Sequence, residues 1–284
     1  DRGRGVKYRV VPNGVPKSGT NLLVTLLKNI PQLKVVNKII PEVNWYNVKK
    51  YGLSGEVVGP FVQLDIDLPH LVPISYFESL ICSLKPGESF SSCHLSYSTV
   101  MRDILDRCGC RMILIVRDPR DVVVSQVFYT LKSPQNPLHN YHVNVLRSFE
   151  KQLIASITGT PYYLLGYDVN HVSIAQRYYS VMGWFEEKNV LVVRFEDLIG
   201  ERGGGSKEKQ VQVIRKVLKF LGLKRDRRLV ENIADNVFSE RSVTFRKGQI
   251  GQWREYFTPL VKVIFKEIAG NVLIDLGYEE DYDW

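Results

Sequence analysis

Cysteines are few and long apolar runs are missing from this sequence, and both shortages exclude classes of protein. The four cysteines include no Cys-x-x-Cys pair, so neither a structural zinc site nor a dense disulfide framework is expected. This usage fits a reduced, intracellular compartment best. The longest apolar runs, such as 112–116, are far shorter than the roughly 18 to 20 residues of a membrane span, so no transmembrane helix is expected.

The overall composition is that of a globular protein with an excess of positive charge. Hydrophobic residues make up 44% of the chain and charged residues 24%, both close to globular averages. The net charge of +8 favours an anionic partner such as a nucleotide, a nucleic acid or a membrane surface. No shift in composition marks a linker, so we expect one domain over residues 1–284.

Patterns typical of strands and helices alternate along the chain. The expected strands are 8–11, 111–116 and 189–194, and the expected helices are 22–30, a helix that begins at Asp118-Pro119, and 210–221. This alternation predicts an α/β fold with a central parallel sheet flanked by helices. Segments 132–142 and 158–172 are expected to be surface loops, and 200–207 a flexible one.

The first loop of this pattern, Gly14–Asn21, has the position of an anion-binding loop. It lies between a strand and a helix, where backbone N–H groups and the helix dipole favour phosphate. A Walker loop would need lysine where Thr20 stands, and the lysine of this loop is Lys17 instead. An ordinary turn that caps a helix is the alternative interpretation.

A second motif places an arginine at the exit of the 111–116 strand. Arg117 and Ser125, two turns into the next helix, can both reach one phosphate. The alternative is a weak Arg117–Asp121 ion pair at the helix start. A third motif, Arg246-Lys247-Gly248, joins two cations to a glycine that permits close approach of the backbone to an anion. Taken alone, its cations would more often be solvated.

These motifs are accompanied by two more, Phe195-Glu196-Asp197-Leu198 and Gly251-x-Trp253. Together they resemble the sulfotransferases that use 3′-phosphoadenosine 5′-phosphosulfate (PAPS), particularly the soluble cytosolic type. The motifs occur in the same order, and the resemblance covers nearly the whole chain. The resemblance implies a fold related to that of the P-loop NTPases. It implies transfer of a sulfuryl group from PAPS to the hydroxyl of a phenol or alcohol, with adenosine 3′,5′-bisphosphate (PAP) as the product. It further implies a cytoplasmic enzyme with a small-molecule acceptor, no nucleic-acid partner and no catalytic metal.

The resemblance also assigns residues to the donor site. The 5′-phosphosulfate would be held by Lys17, Ser18, Gly19, Thr20 and Asn21. The 3′-phosphate would be held by Arg117, Ser125, Arg246, Lys247 and Gly248. Phe195 and Phe238 would contact the adenine. Lys17 is also assigned a catalytic role, because its ammonium group can stabilise negative charge on the leaving bridging oxygen.

His94 stands where the family carries its general base. A neutral imidazole, with an ordinary pKa near 6.5, can accept a proton from an acceptor hydroxyl at neutral pH. His139, His142 and His171 lie in the predicted loops over the site, where they could touch the acceptor, but surface positions are expected for them. His70 has no assigned partner.

Some family positions differ here, and the acceptor is undefined. Ser92, Leu22, Phe195 and Gln252 stand where lysine, tryptophan, tyrosine and aspartate are common. The aromatic residues expected to wall an acceptor pocket, although core positions are commoner for such residues, are Trp45, Tyr46, Tyr129, Tyr141, Tyr162 and Tyr163.

Two other functions compete with sulfuryl transfer. A P-loop kinase or NTPase would use the same loop with a metal, although the displaced Lys17 argues against it. A non-catalytic nucleotide- or nucleic-acid-binding protein would explain the positive charge, but its cations would cover a face with interleaved aromatics rather than form spaced motifs. The oligomeric state is open.

Overall fold

The computed structural model describes residues 5–40, 60–166, 170–238 and 248–284, which form nine strands and twelve α-helices. The strands are β1 Arg9–Gly14, β2 Lys34–Val35, β3 Ile39–Ile40, β4 Phe61–Leu64, β5 His70–Pro73, β6 Glu88–Ser89, β7 Ser92–Cys93, β8 Cys110–Val116 and β9 Val190–Arg194. The helices are α1 Thr20–Lys28, α2 Ile74–Cys82, α3 Thr99–Arg107, α4 Pro119–Lys132, α5 Phe149–Thr158, α6 Tyr162–Leu165, α7 Ile174–Met182, α8 Phe195–Leu198, α9 Lys207–Phe220, α10 Arg227–Asn236, α11 Trp253–Tyr256 and α12 Pro259–Asp275. A π-helix spans Tyr141–Leu146, and two 3₁₀-helices span Gly183–Glu186 and Glu201–Gly203.

The main sheet is parallel, as the sequence predicted, and β1 lies near its centre. β8 and then β9 pair on one side of β1, and β6 and β7 pair on the other, with β2 and β3 beyond them. The register aligns Asn13 with Cys93 and Gly14 with Ile115. The carboxyl ends of β1, β7 and β8 therefore meet at one edge, where α/β sheets bind ligands. β4 and β5 form a separate antiparallel ribbon.

Helices cover both faces of the sheet, which explains the continuous apolar run of β8. Met112 and Leu114 point into one core, and Ile113 and Ile115 point into the other. The first core contains residues of α2, α3, α4, α5, α7 and α12, and the second contains residues of α1, α9 and α10. The side chain of Asp118 accepts a hydrogen bond from the Arg120 N–H at 2.9 Å, which confirms the predicted helix cap.

Segment 200–207 is wrongly predicted as a flexible excursion. It contains a 3₁₀ turn whose Gly203 carbonyl accepts a hydrogen bond from the Ile250 N–H at 3.1 Å. A Cβ atom at Gly203 would lie 2.7 Å from the Gly248 oxygen, and one at Gly205 would lie 2.8 Å from the Glu196 oxygen. The glycines therefore serve close packing of two chain segments rather than mobility.

One disulfide was not expected from the sequence. Cys82 at the end of α2 is bonded to Cys108 just beyond α3, whereas Cys93 and Cys110 are free and buried. Sequence spacing carries no information on which helix ends meet, so this pair could not be read from it. Among the helices described, none combines the length and the apolar character needed to cross a membrane.

Candidate active site

A tight loop joins β1 to α1 at the carboxyl edge of the sheet. Lys17 and Gly19 both have positive φ, 72° and 111°. A Cβ atom at Gly14 would lie 2.6 Å from Ser18 Oγ, and one at Gly19 would lie 2.6 Å from a ring carbon of Phe195. Glycine is thus required at positions 14 and 19, and these contacts hold the loop in one conformation.

Among the predicted anion-binding residues of this loop, Ser18 holds the loop together, whereas Thr20 and Asn21 begin α1. Ser18 is fully buried, its N–H donates to the Val15 oxygen at 2.9 Å, and its hydroxyl donates to the Ile115 oxygen at 3.1 Å. Both donors of Ser18 therefore secure the loop. Thr20 and Asn21 form the first turn of α1, where the positive end of the helix dipole favours an anion.

Lys17 extends from the loop toward α4. Its ammonium nitrogen lies 4.3 Å from the centre of the Tyr129 ring, within cation–π distance. Burial, and then the charge of Arg117, lower the pKa of Lys17 to about 8, while Asp67 acts in the opposite direction. Lys17 is therefore a partly dehydrated cation at the sheet edge.

His94 follows β7, and its Nδ1 lies 2.7 Å from the Gly14 oxygen. A carbonyl oxygen can only accept, so Nδ1 carries the hydrogen and Nε2 holds a free lone pair. Burial lowers the pKa of His94, which keeps the imidazole neutral at pH 7. The neighbouring Leu95 is fixed by Asn13, whose Oδ1 accepts from the Leu95 N–H at 2.7 Å and whose Nδ2 donates to the Leu95 oxygen at 2.9 Å.

Arg117 follows β8 and turns back toward the same loop. Its Nη1 donates to the Lys17 oxygen at 3.4 Å and its Nη2 to the Gln249 oxygen at 3.2 Å, and the guanidinium lies 4.2 Å from the centre of the Phe195 ring. Its buried Nε has no hydrogen-bond partner among the described residues. Neutral carbonyls and an aromatic ring hold this cation, and an unused donor remains for an anion.

Among the described residues Arg117 and Asp121 form no direct ion pair, although the charge of Arg117 lowers the pKa of Asp121. The Asp121 carboxylate instead accepts from the Gly251 N–H at 2.8 Å and the Trp253 N–H at 2.9 Å. Asp121 thereby fixes the segment that begins at Gly248, and Ser125 lies half-buried one turn further along α4. Arg246 and Lys247, as well as Trp45 and Tyr46, lie outside the described residues.

Phe195 and Phe238 are both buried in the second core. The Arg117 guanidinium covers Phe195, and the Arg202 guanidinium lies 4.6 Å from the centre of the Phe238 ring. Leu22 packs partly buried against the same core. Contact of these rings with an adenine stays a prediction.

Two histidines that were expected at the surface are buried. His142 and His171 are only 1% and 2% exposed. His171 Nε2 lies 3.1 Å from Gln126 Nε2, and since the amide nitrogen donates, this ring nitrogen accepts. Burial lowers the pKa of both histidines, to about 4 for His142. Their positions in loop-like sequence gave no signal of burial, because the covering residues come from distant helices.

A buried polar network beside Lys17 and His94 was missed in the sequence. Asp67, in the turn between β4 and β5, accepts from Gln126 Nε2 at 2.8 Å and from Arg177 Nη1 at 3.4 Å. Arg177 is fully buried on α7. A signal existed, since Arg177 lies between Ile174 and Tyr178 on the apolar face of that helix, and a cation in such a place needs a partner.

Tyr129 is the predicted acceptor-pocket aromatic that the structure places against a catalytic candidate. It is 38% exposed and contacts Lys17. Tyr162 and Tyr163 are 50% and 70% exposed and pack edge to face. Aromatic surface is thus present, and Tyr129 is the member of the predicted set that the described part of the chain places beside Lys17.

Comparison with known proteins gives consistent findings. A family model described as "Sulfotransferase domain" matches residues 9–277. The chain is 26% identical to cytosolic sulfotransferase 17 of Arabidopsis thaliana over 210 residues, which are 69% of this chain and 57% of that protein. The chain thus spans little more than half the length of this curated relative.

The fold is similar to that of two solved structures. The mouse sulfotransferase SULT7A1 complexed with PAP matches at 22% identity and a TM-score of 0.63, over 98% of this chain and 89% of that one. Retinol dehydratase in a complex with retinol and PAP matches at 16% identity and a TM-score of 0.59, over 96% and 82%. At these identities the likeness establishes the fold.

Proposed function

The chain belongs to the sulfotransferase domain family, and we propose that it transfers a sulfuryl group from PAPS to the hydroxyl of a small-molecule acceptor. The observation that carries the proposal is the convergence of Lys17, His94 and Arg117 at one edge of the sheet. Arg117 contacts the backbone of Lys17, and His94 contacts Gly14 at the start of the same loop. The ends of three separate strands thus bring two cations and an imidazole to one place.

A doubly phosphorylated adenosine fits the charges of this site. Arg117 has a buried Nε with no hydrogen-bond partner among the described residues, and a phosphate would give it a charged one. Lys17 and the amino end of α1 suit the phosphosulfate at the other end of the donor. Arg246, Lys247 and Gly248 stay predicted ligands of the 3′-phosphate, and the anchoring of Gly251 by Asp121 supports that assignment for the segment.

The proposed reaction is an in-line displacement at sulfur. PAPS supplies an already activated sulfuryl group. The acceptor hydroxyl gives its proton to His94 Nε2 as its oxygen bonds to sulfur, and the bond from sulfur to the bridging oxygen breaks, with the electron pair leaving on the 5′-phosphate. The Lys17 ammonium stabilises the charge that develops on that oxygen. No electron is transferred to or from the protein.

The acceptor is proposed to be a phenol or an alcohol with an apolar body. The half-exposed Tyr129 ring beside Lys17 supports this class, because an aromatic wall favours flat or apolar substrates. Among the similar structures, retinol dehydratase is complexed with retinol in one and with androsterone in another. A cytosolic location is proposed on the resemblance to the Arabidopsis enzyme.

Ligand binding and turnover test the proposal together. Thermal melting with PAP, ATP and ATP–Mg²⁺ should show stabilisation by PAP without metal, and incubation with sulfur-labelled PAPS should label hydroxyl acceptors from a phenol and alcohol panel. Stabilisation by ATP–Mg²⁺ alone would point to a phosphotransferase. Stabilisation by PAP without transfer to any acceptor, and without release of label, would indicate a non-catalytic nucleotide-binding protein.

A further inference from the structure

Asp67 carries a buried carboxylate that neither takes the proton nor binds the leaving group in the proposed reaction. It lies in the turn after β4, and its backbone oxygen accepts a hydrogen bond from the Val172 N–H at 3.0 Å. The residue is 9% exposed. An acidic side chain in such a place is costly unless its charge has partners.

Two helices clamp this carboxylate in one orientation. Gln126 of α4 donates to Oδ2, and Arg177 of α7 donates to Oδ1. The Gln126 amide is itself fixed, because its Oε1 accepts from Arg177 and from the Ser156 hydroxyl at 2.9 Å. Burial raises the pKa of Asp67, while the Arg177 charge and the hydrogen bonds from Arg177 and Gln126 act against this rise. Since both carboxylate oxygens accept hydrogen bonds, the ionised form of Asp67 is the one that satisfies the clamp.

The clamp places this negative charge beside the catalytic pair. Gln126 and Tyr129 are three residues apart on α4 and therefore neighbours on one face of the helix, about 5–6 Å apart at Cβ. Gln126 holds Asp67 and the Tyr129 ring holds the Lys17 ammonium, so the carboxylate and the ammonium lie on the same face. His94 contacts Gly14 of the same loop, and the charges of both Asp67 and Lys17 act on its ring, so it lies within range of both.

We propose that Asp67 is a positioning residue for the reaction, a fixed carboxylate that keeps Lys17 charged and stabilises the imidazolium that His94 forms when it takes the acceptor proton. The proposal rests on His94 as the general base. The proton passes from the acceptor oxygen to Nε2 and leaves the site after product release, so Asp67 itself neither gains nor loses a proton. Its role is electrostatic, and the acceptor need not touch it.

The surrounding charges agree with this role in sign. Asp67 raises the pKa of both Lys17 and His94. The other charged or titratable groups around it are Asp65 in the same turn, Arg177 on α7, His171 behind Gln126, and Arg117 beyond Lys17. Arg177 is the fixed counter-ion, so the field of Asp67 at the site is reduced but keeps its direction.

The test is the pH profile of the isosteric variant Asp67→Asn. His94 must be neutral and Lys17 charged for the reaction. The profile of kcat/KM against pH therefore has a rising limb at the pKa of His94 and a falling limb at the pKa of Lys17. Removal of the negative charge should move both limbs to lower pH, by about half to one unit, and lower kcat about 10-fold at pH 7.5. Loss of packing alone would lower kcat with both limbs in place.

Direct titration of His94 separates this inference from the proposed function. With only five histidines in the chain, ¹⁵N NMR of the PAP complex can follow the His94 ring, whose titration should move to lower pH in Asp67→Asn. Unmoved limbs together with an unmoved His94 titration would overturn the role of Asp67, even if His94→Ala abolishes turnover. Full activity of His94→Ala would refute the base itself, and the NMR shift would still report whether the two groups are coupled.

A matched control lies two residues away. The Asp65 carboxylate accepts from the Ile66 N–H at 2.6 Å and so serves the turn. Asp65→Asn keeps a side-chain oxygen that can accept from this N–H, so both limbs should keep their positions. If Asp67→Asn fails to fold, as judged by melting with PAP, Asp67→Glu is the second variant, and it should retain the positions of both limbs because it keeps the charge.

Discussion

The two ends of the proposed donor site are stabilised by different physical means. At the reaction end, formed by Lys17, His94 and Asp67, the groups are titratable and half-buried or buried. Asp67 raises the pKa of Lys17 and of His94, Lys17 lowers the pKa of His94, and His94 lowers the pKa of Asp67. At the phosphate end, formed by Arg117 with the segment that begins at Gly248, the cation is permanently charged and is held by neutral carbonyls and the Phe195 ring.

Because of this difference, the protonation of the catalytic groups and the positioning of the donor can be tested separately. Substitutions at the reaction end should change kcat and its pH dependence, because they alter which proton forms exist. Substitutions at the phosphate end should mainly change the affinity for the donor and leave the rising limb at His94 in place, while loss of the Arg117 charge also raises the pKa of Lys17. Substitutions at the two ends of the site should therefore have different effects.

The largest effect is expected for His94→Ala. Loss of the general base should lower kcat by about 10²- to 10⁴-fold at pH 7.5, because proton transfer typically contributes that much. The affinity for PAP should stay within about twofold, since the structure gives His94 contacts to the Gly14 loop backbone and no place in the anion grip. Steady-state kinetics and calorimetry with PAP measure the two quantities, and a large loss of PAP affinity would break the contrast.

Arg117→Gln should have the next largest effect, on affinity. A charged donor that bonds to phosphate typically contributes about 1.5–3 kcal/mol, so the Kd for PAP should rise about 10- to 100-fold. The rising limb at His94 should keep its position, and the falling limb should move to higher pH because the charge of Arg117 lowers the pKa of Lys17. Arg228→Gln, at an exposed arginine on α10, is the control for loss of one positive charge. A parallel shift of the limbs in Arg117→Gln would show that this end also acts through protonation.

Much of the fold could be predicted because it depends on local patterns. The apolar run of β8 and the cap at Asp118 need no information beyond their own segments, and a parallel sheet then brings the strand ends together. Arg117 follows β8 directly and Lys17 lies three residues after β1, so the sequence predicted that both lie near strand ends.

The remaining features depend on which distant segments meet. Asp67 acquires its role only because α4 and α7 bring Gln126 and Arg177 to it. His142 lies in a segment rich in polar residues, yet its ring is buried, with both ring nitrogens lacking a hydrogen-bond partner. No local pattern marks such contacts, since each joins residues far apart in the chain.

The dependence of stability on pH tests whether a second buried titratable group, His142, also has a shifted pKa. The pKa of His142 is about 4 in the folded protein and near 6.5 when exposed, so the unfolded state binds more protons between these values. Its contribution to stability is therefore lost as pH falls from about 6.5 to about 4. Asp65, whose pKa burial raises to about 7, acts in the opposite direction, so wild type must be compared with His142→Phe.

The measurement is urea unfolding of both proteins at pH 7 and pH 5. The variant should gain about 2 kcal/mol relative to wild type on going to pH 5, because it has no imidazole to protonate. Turnover at pH 7.5 should change little. An equal difference in stability at the two pH values would mean that the His142 ring titrates normally in the folded protein.

The smallest effect is expected at the phosphate end, from a change that touches no charge. Gly203→Ala would bring a methyl group within 2.7 Å of the Gly248 oxygen and against Ile199, so the segment that carries the predicted phosphate ligands must shift. We expect the Kd for PAP to rise about 3- to 10-fold, at roughly 1 kcal/mol, with kcat and both pH limbs preserved. Gly5→Ala is the control, because a Cβ there meets nothing within 4 Å. If Gly203→Ala lowers kcat while the Kd for PAP is unchanged, the turn at Gly203 supports the reaction end instead, and placement would then matter at both ends.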